Sequence, residues 1–307
     1  MEPASVPTKP LGRSGIEIPE IGIGTWDYRG GPELLRRGLE LGAVLLDTAE
    51  SYGTEEAVGQ AVAGIRDRVF IATKVSSFNL RPDDLRRSAE ASLQRLGIDH
   101  IDLYQIHHPS PDIPIEDTLG AMEQLVDEGK IRFIGVSNFE LEELEAACRA
   151  ARKHPIVSNQ VRYNLADRTI EGGLLRHCQE QGITVIAYSP LAREISRLFD
   201  CDPKGVLARI AGETGRSPAQ IAINWCVCKQ GVVAIPKANS WAHLAENCAA
   251  GGWRLNEQHQ RLLDQEFVHR RRGRLDRLIR TLVPAGLAPF AKRCLKLLPQ
   301  GLRRRLS

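Results

Sequence analysis

Four residues carry the chemistry that this sequence offers: Asp47, Tyr52, Lys74 and His107. Asp47 ends the apolar run Ala43-Val44-Leu45-Leu46, and Tyr52 follows in the same loop. Lys74 closes VFIATK and His107 closes IDLYQIH, two further apolar runs of strand length. Runs of this kind suit strands buried on both faces, and polar groups at the carboxyl ends of such strands face the ligand crevice of an α/β protein. A carboxylate, a phenol, an ammonium and an imidazole gathered there suit proton transfer to a developing oxyanion. A free tyrosine, with a pKa of about 10, is a weak acid at neutral pH. A lysine ammonium beside it stabilises the phenolate and lowers that value, while an aspartate fixes the lysine and a histidine holds the acceptor oxygen in line. Each residue alone has a plainer reading: helix cap, packing, exit to solvent, local hydrogen bond. Their recurrence at successive strand ends favours the joint one.

The elements that must position these groups repeat along the chain. Residues 10–24, with turn residues Ser14-Gly15 and Pro19, read as a β-hairpin, and IGIGTW (21–26) as a first strand. PELLRRGLELG (32–42) has apolar residues at helical spacing and closes on Gly42. The same alternation continues through AVLLDTA, VFIATKV, IDLYQIH, IRFIGVSN, IVSNQVRYN, ITVIAYSP and VVAIPKA, each followed by a helical stretch. Ser217-Pro218 reads as an N-cap and first helical residue. Eight strand–helix units predict an α/β fold, a (β/α)8 TIM barrel over residues 1–267, with its active site at the carboxyl ends of the strands. An open doubly wound sheet is the competing architecture, but no GxGxxG follows the first strand.

Composition sets the outer bounds. A chain of 307 residues with 42% hydrophobic and 26% charged residues is that of a globular protein with a sizeable core. The segment MEPASVPTKPLGRSG has no apolar core of a signal peptide, and no run of 18 apolar residues occurs, so a cytoplasmic protein is expected. Seven cysteines (148, 178, 201, 226, 228, 248 and 294) show neither CxxC nor Cys/His ligand spacing, which predicts reduced thiols and no metal site. The net charge of +3 conceals a division. Residues 269–307 hold twelve Lys/Arg against one acid, which leaves residues 1–268 at −8. Leu275, Leu278, Ile279 and Leu282 recur at helical spacing among the arginines, so residues 268–307 read as a basic amphipathic C-terminal helical tail. Such a tail suits an anionic membrane surface, or packing against the acidic barrel or a second copy. No pattern points to nucleic acid, and no subunit interface is marked, so a monomer is expected.

From about Lys9 to about Gln265 the chain resembles the aldo-keto reductases. The resemblance is carried by LGRSGIEIPEIGIGTW, LLDTAESYGTEEAVGQAV, FIATKV, IDLYQIHHP, GVSNF, NQVRYN, AYSPL and IPKA with HLAEN, in that order. It implies a (β/α)8 reductase that uses a nicotinamide dinucleotide without a Rossmann domain. It implies a tetrad of Asp47, Tyr52 as proton donor, Lys74, and His107 as carbonyl orienter. It also implies that Ser137, Asn138 and Gln160 hold the nicotinamide carboxamide, that Tyr188 stacks on its ring, and that Ser189, Pro190 and Leu191 line the diphosphate path. Read without it, Ser137 and Asn138 would cap the next helix and Tyr188 would be core.

Lys237 matches the lysine that meets the adenosine 2′-phosphate, and Glu246 and Asn247 match adenine contacts. The chain departs at Ala238, where serine is frequent, and at His243, where an arginine often pairs with the phosphate. A neutral histidine is a weaker phosphate partner than arginine. NADPH is therefore the expected coenzyme, with NADH use compatible. Trp26 and His108 fall in the substrate pocket, which implies a small-molecule aldehyde or ketone with an apolar portion. The competing function is a regulatory or membrane-tethered barrel that senses cofactor state with little turnover.

Overall fold

The computed structural model describes residues 6–268, so the tail expected beyond Val268 lies outside the described residues. Strands β1 (Thr8–Pro10) and β2 (Glu17–Pro19) pair antiparallel as the expected hairpin, with Thr8 opposite Pro19. Its turn is closed by Leu11 N donating to Ile16 O at 3.0 Å. Eight parallel strands follow: β3 (Ile23–Gly24), β4 (Leu45–Asp47), β5 (Phe70–Val75), β6 (Ile101–Ile106), β7 (Ile131–Ser137), β8 (Ile156–Arg162), β9 (Thr184–Tyr188) and β10 (Val232–Ile235). Each pairs with its neighbours in chain order. Ile21 bridges to Ala234, Gly22 N donates to Ala234 O at 2.9 Å, and Ala234 N donates to Glu20 O at 2.9 Å. These bonds join the last strand to the first, and the sheet is a (β/α)8 barrel.

Two elements differ from the pattern reading. The strand expected over 21–26 is only Ile23–Gly24, because barrel backbones converge there. A Cβ on Gly24 would stand 2.7 Å from the carbonyl oxygen of Ile235. A helix over Glu257–Glu266 was not signalled, since EQHQRLLDQE has only Leu262 and Leu263 as apolar residues. Local and tertiary bonds establish it: Asn256 caps it by accepting from His259 N at 2.7 Å, and Trp225 Nε1 donates to Asp264 Oδ1 at 2.8 Å.

Two apolar clusters divide the core. Inside the barrel, Leu45, Phe70, Leu103, Val157, Ile186 and Val233 pack with Leu11 and Ile18 from the hairpin, which plugs the amino-terminal end. Outside it, alternate strand residues such as Ile71, Tyr104 and Ile134 pack against helix residues such as Leu85, Leu119 and Met122. Burying each large side chain contributes roughly 1.5–3 kcal/mol. Side chains alternate along a strand with period two, so the second residue beyond an interior apolar one is again interior. That step takes the lumen from Leu45 to Asp47, Ala72 to Lys74, Leu103 to Gln105 and Ile186 to Tyr188. The barrel is hydrocarbon at its base and polar at its mouth. Among the described residues, all six cysteines are free thiols, and no helix is long and apolar enough to cross a membrane.

Candidate active site

Tyr52 sits on a single turn of 3-10 helix, Glu50–Tyr52, just after β4. Three hydroxyls pin the backbone around it. Thr25 Oγ1 donates to Asp47 O at 2.9 Å, and the Thr54 hydroxyl lies 2.8 Å from those of both Thr25 and Thr48. Glu50 Oε1 accepts from Ser76 N at 2.6 Å and from Asn79 Nδ2 at 3.1 Å, which ties the turn to the loop after β5. A loop residue is thereby held nearly as firmly as a strand residue.

The four groups singled out in the sequence converge in the lumen. Lys74 is fully buried, and its Nζ donates to Asp47 Oδ1 at 2.6 Å and to Thr48 O at 2.7 Å. Asp47 Oδ2 accepts from Gln160 Nε2 at 2.6 Å and from Gln105 Nε2 at 3.4 Å. The Lys74 ammonium lies 4.8 Å from the Tyr52 ring centroid. Tyr52 OH is 3.4 Å from His107 Nε2, with the two rings edge to face. His107 follows β6 directly and stacks on His108, with ring centroids 4.9 Å apart. Gln105 and the three threonines escaped the motif reading. Gln105 did carry a signal, since it shares interior phase with Leu103 and His107.

Burial is the largest single influence on Lys74 and works against its charged form, but Asp47 and Tyr52 together outweigh it, and the lysine pKa is raised. The His107 pKa is pushed down to about 3 by burial, with the charges of Lys74 and His108 acting in the same direction. His107 is therefore a neutral imidazole at ordinary pH. For Tyr52 the expectation of a lowered pKa is corrected. Burial raises it, the opposing pull of Lys74 does not compensate, and Asp47 adds to the rise. The phenol thus stays protonated, an acid that yields its proton only to a strongly basic oxygen.

Ser137, Asn138, Gln160 and Tyr188 form one hydrogen-bonded group across the ends of β7, β8 and β9. Asn138, at φ +63°, donates from N to Gln160 O at 2.9 Å. Its Nδ2 donates to His107 O at 2.9 Å and to Ser137 Oγ at 3.0 Å, and its Oδ1 accepts from Tyr188 OH at 2.9 Å. Ser137 Oγ donates to Gln160 O at 2.9 Å. The capping alternative fails, because Glu140 caps the next helix in a box with Glu143. Tyr188 is only partly buried, so it is not a core residue. In the adjoining loop Ser189 (φ +51°) accepts at its carbonyl from Asn164 Nδ2 at 2.9 Å, and Pro190 is buried beside partly buried Leu191.

Lys237 lies in the loop after β10, and His243, Glu246 and Asn247 lie on the helix that follows it. Lys237 is partly buried, and His243 is exposed in the first turn of the helix Trp241–Cys248, its N donating to Ser240 Oγ at 3.4 Å. Glu246 O accepts from Gln220 Nε2 at 3.3 Å, and the buried Asn247 Nδ2 has no hydrogen-bond partner. Trp26 is 47% exposed, with the Arg193 guanidinium 4.7 Å from its ring, so this contact spans the mouth between the loops after β3 and β9.

A buried acid–base set at the carboxyl end of a closed (β/α)8 barrel limits the choice of family, and one sequence family spans most of the chain. The Aldo/keto reductase family model matches residues 20–265. The chain belongs to the aldo/keto reductase family. It is 38% identical over 263 residues to the methylglyoxal reductase YeaE of Escherichia coli (strain K12), covering 82% of this chain and 92% of YeaE. Among solved structures, it superposes on the thermostable aldo-keto reductase Tm1743, in complex with the inhibitor epalrestat, with a TM-score of 0.80 and 45% identity, covering 84% of this chain and 98% of that one. It also superposes on an aldo-keto reductase from Klebsiella pneumoniae in complex with NADPH, with a TM-score of 0.79 and 38% identity, covering 85% and 95%. As a family member the protein is an NAD(P)H-dependent oxidoreductase that acts on carbonyl groups.

Proposed function

We propose that this aldo/keto reductase reduces small reactive aldehydes and ketones with NADPH, and that Tyr52 is the proton donor. The observation that carries this reading is the line of contacts Asp47–Lys74–Tyr52–His107, which begins in a wholly buried ion pair and ends at a neutral imidazole. His107 Nε2 and Tyr52 OH together offer a seat for a carbonyl oxygen. As that oxygen gains charge, the Tyr52 proton moves to it. The nearby Lys74 ammonium stabilises the phenolate left behind, and Asp47 fixes the ammonium. Burial leaves Tyr52 a weaker acid than a free phenol, so its proton passes only to an oxygen that has become strongly basic.

The donor set fits a nicotinamide cofactor. A carboxamide needs both donors and acceptors, and Ser137, Asn138 and Gln160 carry groups of both kinds; their N–H and O–H groups are engaged with one another, His107 and Asp47, so binding would exchange some of those bonds for bonds to the cofactor. Asn247 Nδ2 is a buried donor without a partner, at a position that matches an adenine contact of the family. When bound, NADPH supplies the hydride to the carbonyl carbon. Lys237 and, less strongly, His243 would hold its 2′-phosphate. NADPH in the Klebsiella relative supports the coenzyme, and the activity named for YeaE supports a small dicarbonyl or similar aldehyde as substrate.

The test is oxidation of NADPH and NADH with methylglyoxal and with an aromatic aldehyde, for wild type and Tyr52→Phe. We expect faster turnover with NADPH, and a loss of about 10²- to 10⁴-fold in Tyr52→Phe with NADPH binding retained. Equal turnover by the two proteins would remove Tyr52 as donor. For the tail, stronger sedimentation with anionic liposomes by the full chain than by residues 1–268, at low salt, is the corresponding test of membrane contact.

A further inference from the structure

Arg162 is the last residue of β8, two beyond Gln160 and therefore in the same interior phase. Gln160 reaches Asp47, so the next residue of that phase stands one layer higher, at the mouth. Its register partner is Tyr188, and its guanidinium carbon lies 5.8 Å from the Tyr188 ring centroid. The side chain is 37% exposed, yet its Nε is buried without a hydrogen-bond partner. The carboxylate within ion-pair reach is Asp167, whose Oδ2 is 4.0 Å from Arg162 Nη1, at the outer limit of an ion pair, while its other oxygen, Oδ1, accepts from Thr169 Oγ1 at 2.8 Å. A planar guanidinium presents five donors in a fork that matches a carboxylate or phosphate, and here the buried one, Nε, is left unsatisfied, which is costly. Arg66 and Arg132 each reach Asp102 at 2.7 Å, so although the Arg66 Nε is likewise buried without a partner, its charge is matched at close range and that of Arg162 is not.

We propose that Arg162 is an anion seat at the mouth of the barrel, and that the group it takes is a carboxylate carried by the carbonyl substrate. This rests on the reductase reading and deepens it, since the preferred substrates become oxo-acids or aldehydes with an acidic group remote from the carbonyl. The seat adjoins Tyr188, whose hydroxyl is bonded to Asn138 and through it to the His107 carbonyl, so two hydrogen bonds link it to the reacting centre. The same chemistry also suits the diphosphate of a dinucleotide, and the experiment separates the two sources.

Kinetics with 4-carboxybenzaldehyde and its methyl ester, methyl 4-formylbenzoate, compare a charged with a neutral substrate of one shape. They are run on wild type, Arg162→Met and Arg162→Lys, with NADPH affinity measured separately by fluorescence titration. The expected result is a wild-type preference for the acid in kcat/KM and a rise of about tenfold or more in its KM in Arg162→Met. Arg162→Lys should recover part of this, with the ester and NADPH affinity unchanged. Equal losses for acid and ester, together with weaker NADPH binding, would transfer the seat to the cofactor diphosphate and overturn the substrate assignment. Unchanged acid, ester and NADPH parameters in Arg162→Met would overturn the seat altogether. Activity on the ester in all three proteins separates these failures from failure of the reductase reading, which would abolish turnover of both aldehydes in the wild type.

Discussion

Replacing Lys74 with methionine tests the centre of the site more directly than any other substitution. The side chain keeps its length and loses its ammonium, which in the wild type bonds Asp47 Oδ1 at 2.6 Å and Thr48 O at 2.7 Å. Asp47, 2% exposed, is left with two amide donors at 2.6 and 3.4 Å. Removing one partner of a buried ion pair costs about 3–5 kcal/mol, because the other charge stays buried without compensation. Against a total stability of roughly 5–15 kcal/mol, the variant folds but unfolds at distinctly lower urea. Adding Asp47→Asn removes the stranded charge, and the double variant should be more stable than Lys74→Met alone, with a coupling of about 2 kcal/mol. The assay is urea unfolding followed by circular dichroism. A Lys74→Met deficit below about 1 kcal/mol, or a double variant no more stable than Lys74→Met, would refute the energetic account of the pair.

Further outcomes follow from the same geometry. Because the His107 pKa lies at about 3, its imidazole stays neutral from pH 5 to 8, and kcat/KM should show no ionisation near 6.5. The sign for stability is that an unfolded histidine gains its proton near 6.5 and the folded one does not, so this contribution is lost as pH falls from about 6.5 towards 3. A kinetic limb near 6.5 that disappears in His107→Gln would contradict this. Gly59→Ala should destabilise the fold by about 1–2 kcal/mol despite the better helix former. Its Cβ would lie 2.3 Å from Leu96 O and 2.7 Å from the carbonyl carbon, and backbone there does not give way cheaply. Gly120→Ala, with no atom within 4 Å of the added Cβ, should instead stabilise by about 0.4–1 kcal/mol, and thermal unfolding of the two variants reads the difference.

Much of the barrel is legible in the sequence because strand and helix differ in period, and β5, β6 and β7 are near-continuous apolar runs of strand length. The first strand and the helix Glu257–Glu266 are less legible. The former is defined by backbone closure onto β10, and the latter by a cap and by bonds to distant side chains. Asp47, Tyr52, Lys74 and His107 stand out because each breaks or follows an apolar run. Gln105 did not, since one amide in IDLYQIH reads as an ordinary polar residue until Asp47 and Gln160 are seen beside it.

The order of strands and helices, the polar residues at the strand ends and the charge division between barrel and tail are local properties, and the sequence by itself determined them. The protonation of the site was decided only by the tertiary structure. From residue types, Lys74 beside Tyr52 argues for an acidified phenol, yet the folded protein raises the Tyr52 pKa. Desolvation depends on everything packed around a group, and Asp47 offsets part of the lysine's charge from the far side. Arg162 follows the same logic. Its position in NQVRYN is plain from the chain, but its unpartnered Nε emerges only when Tyr188 and Asp167 are brought around it.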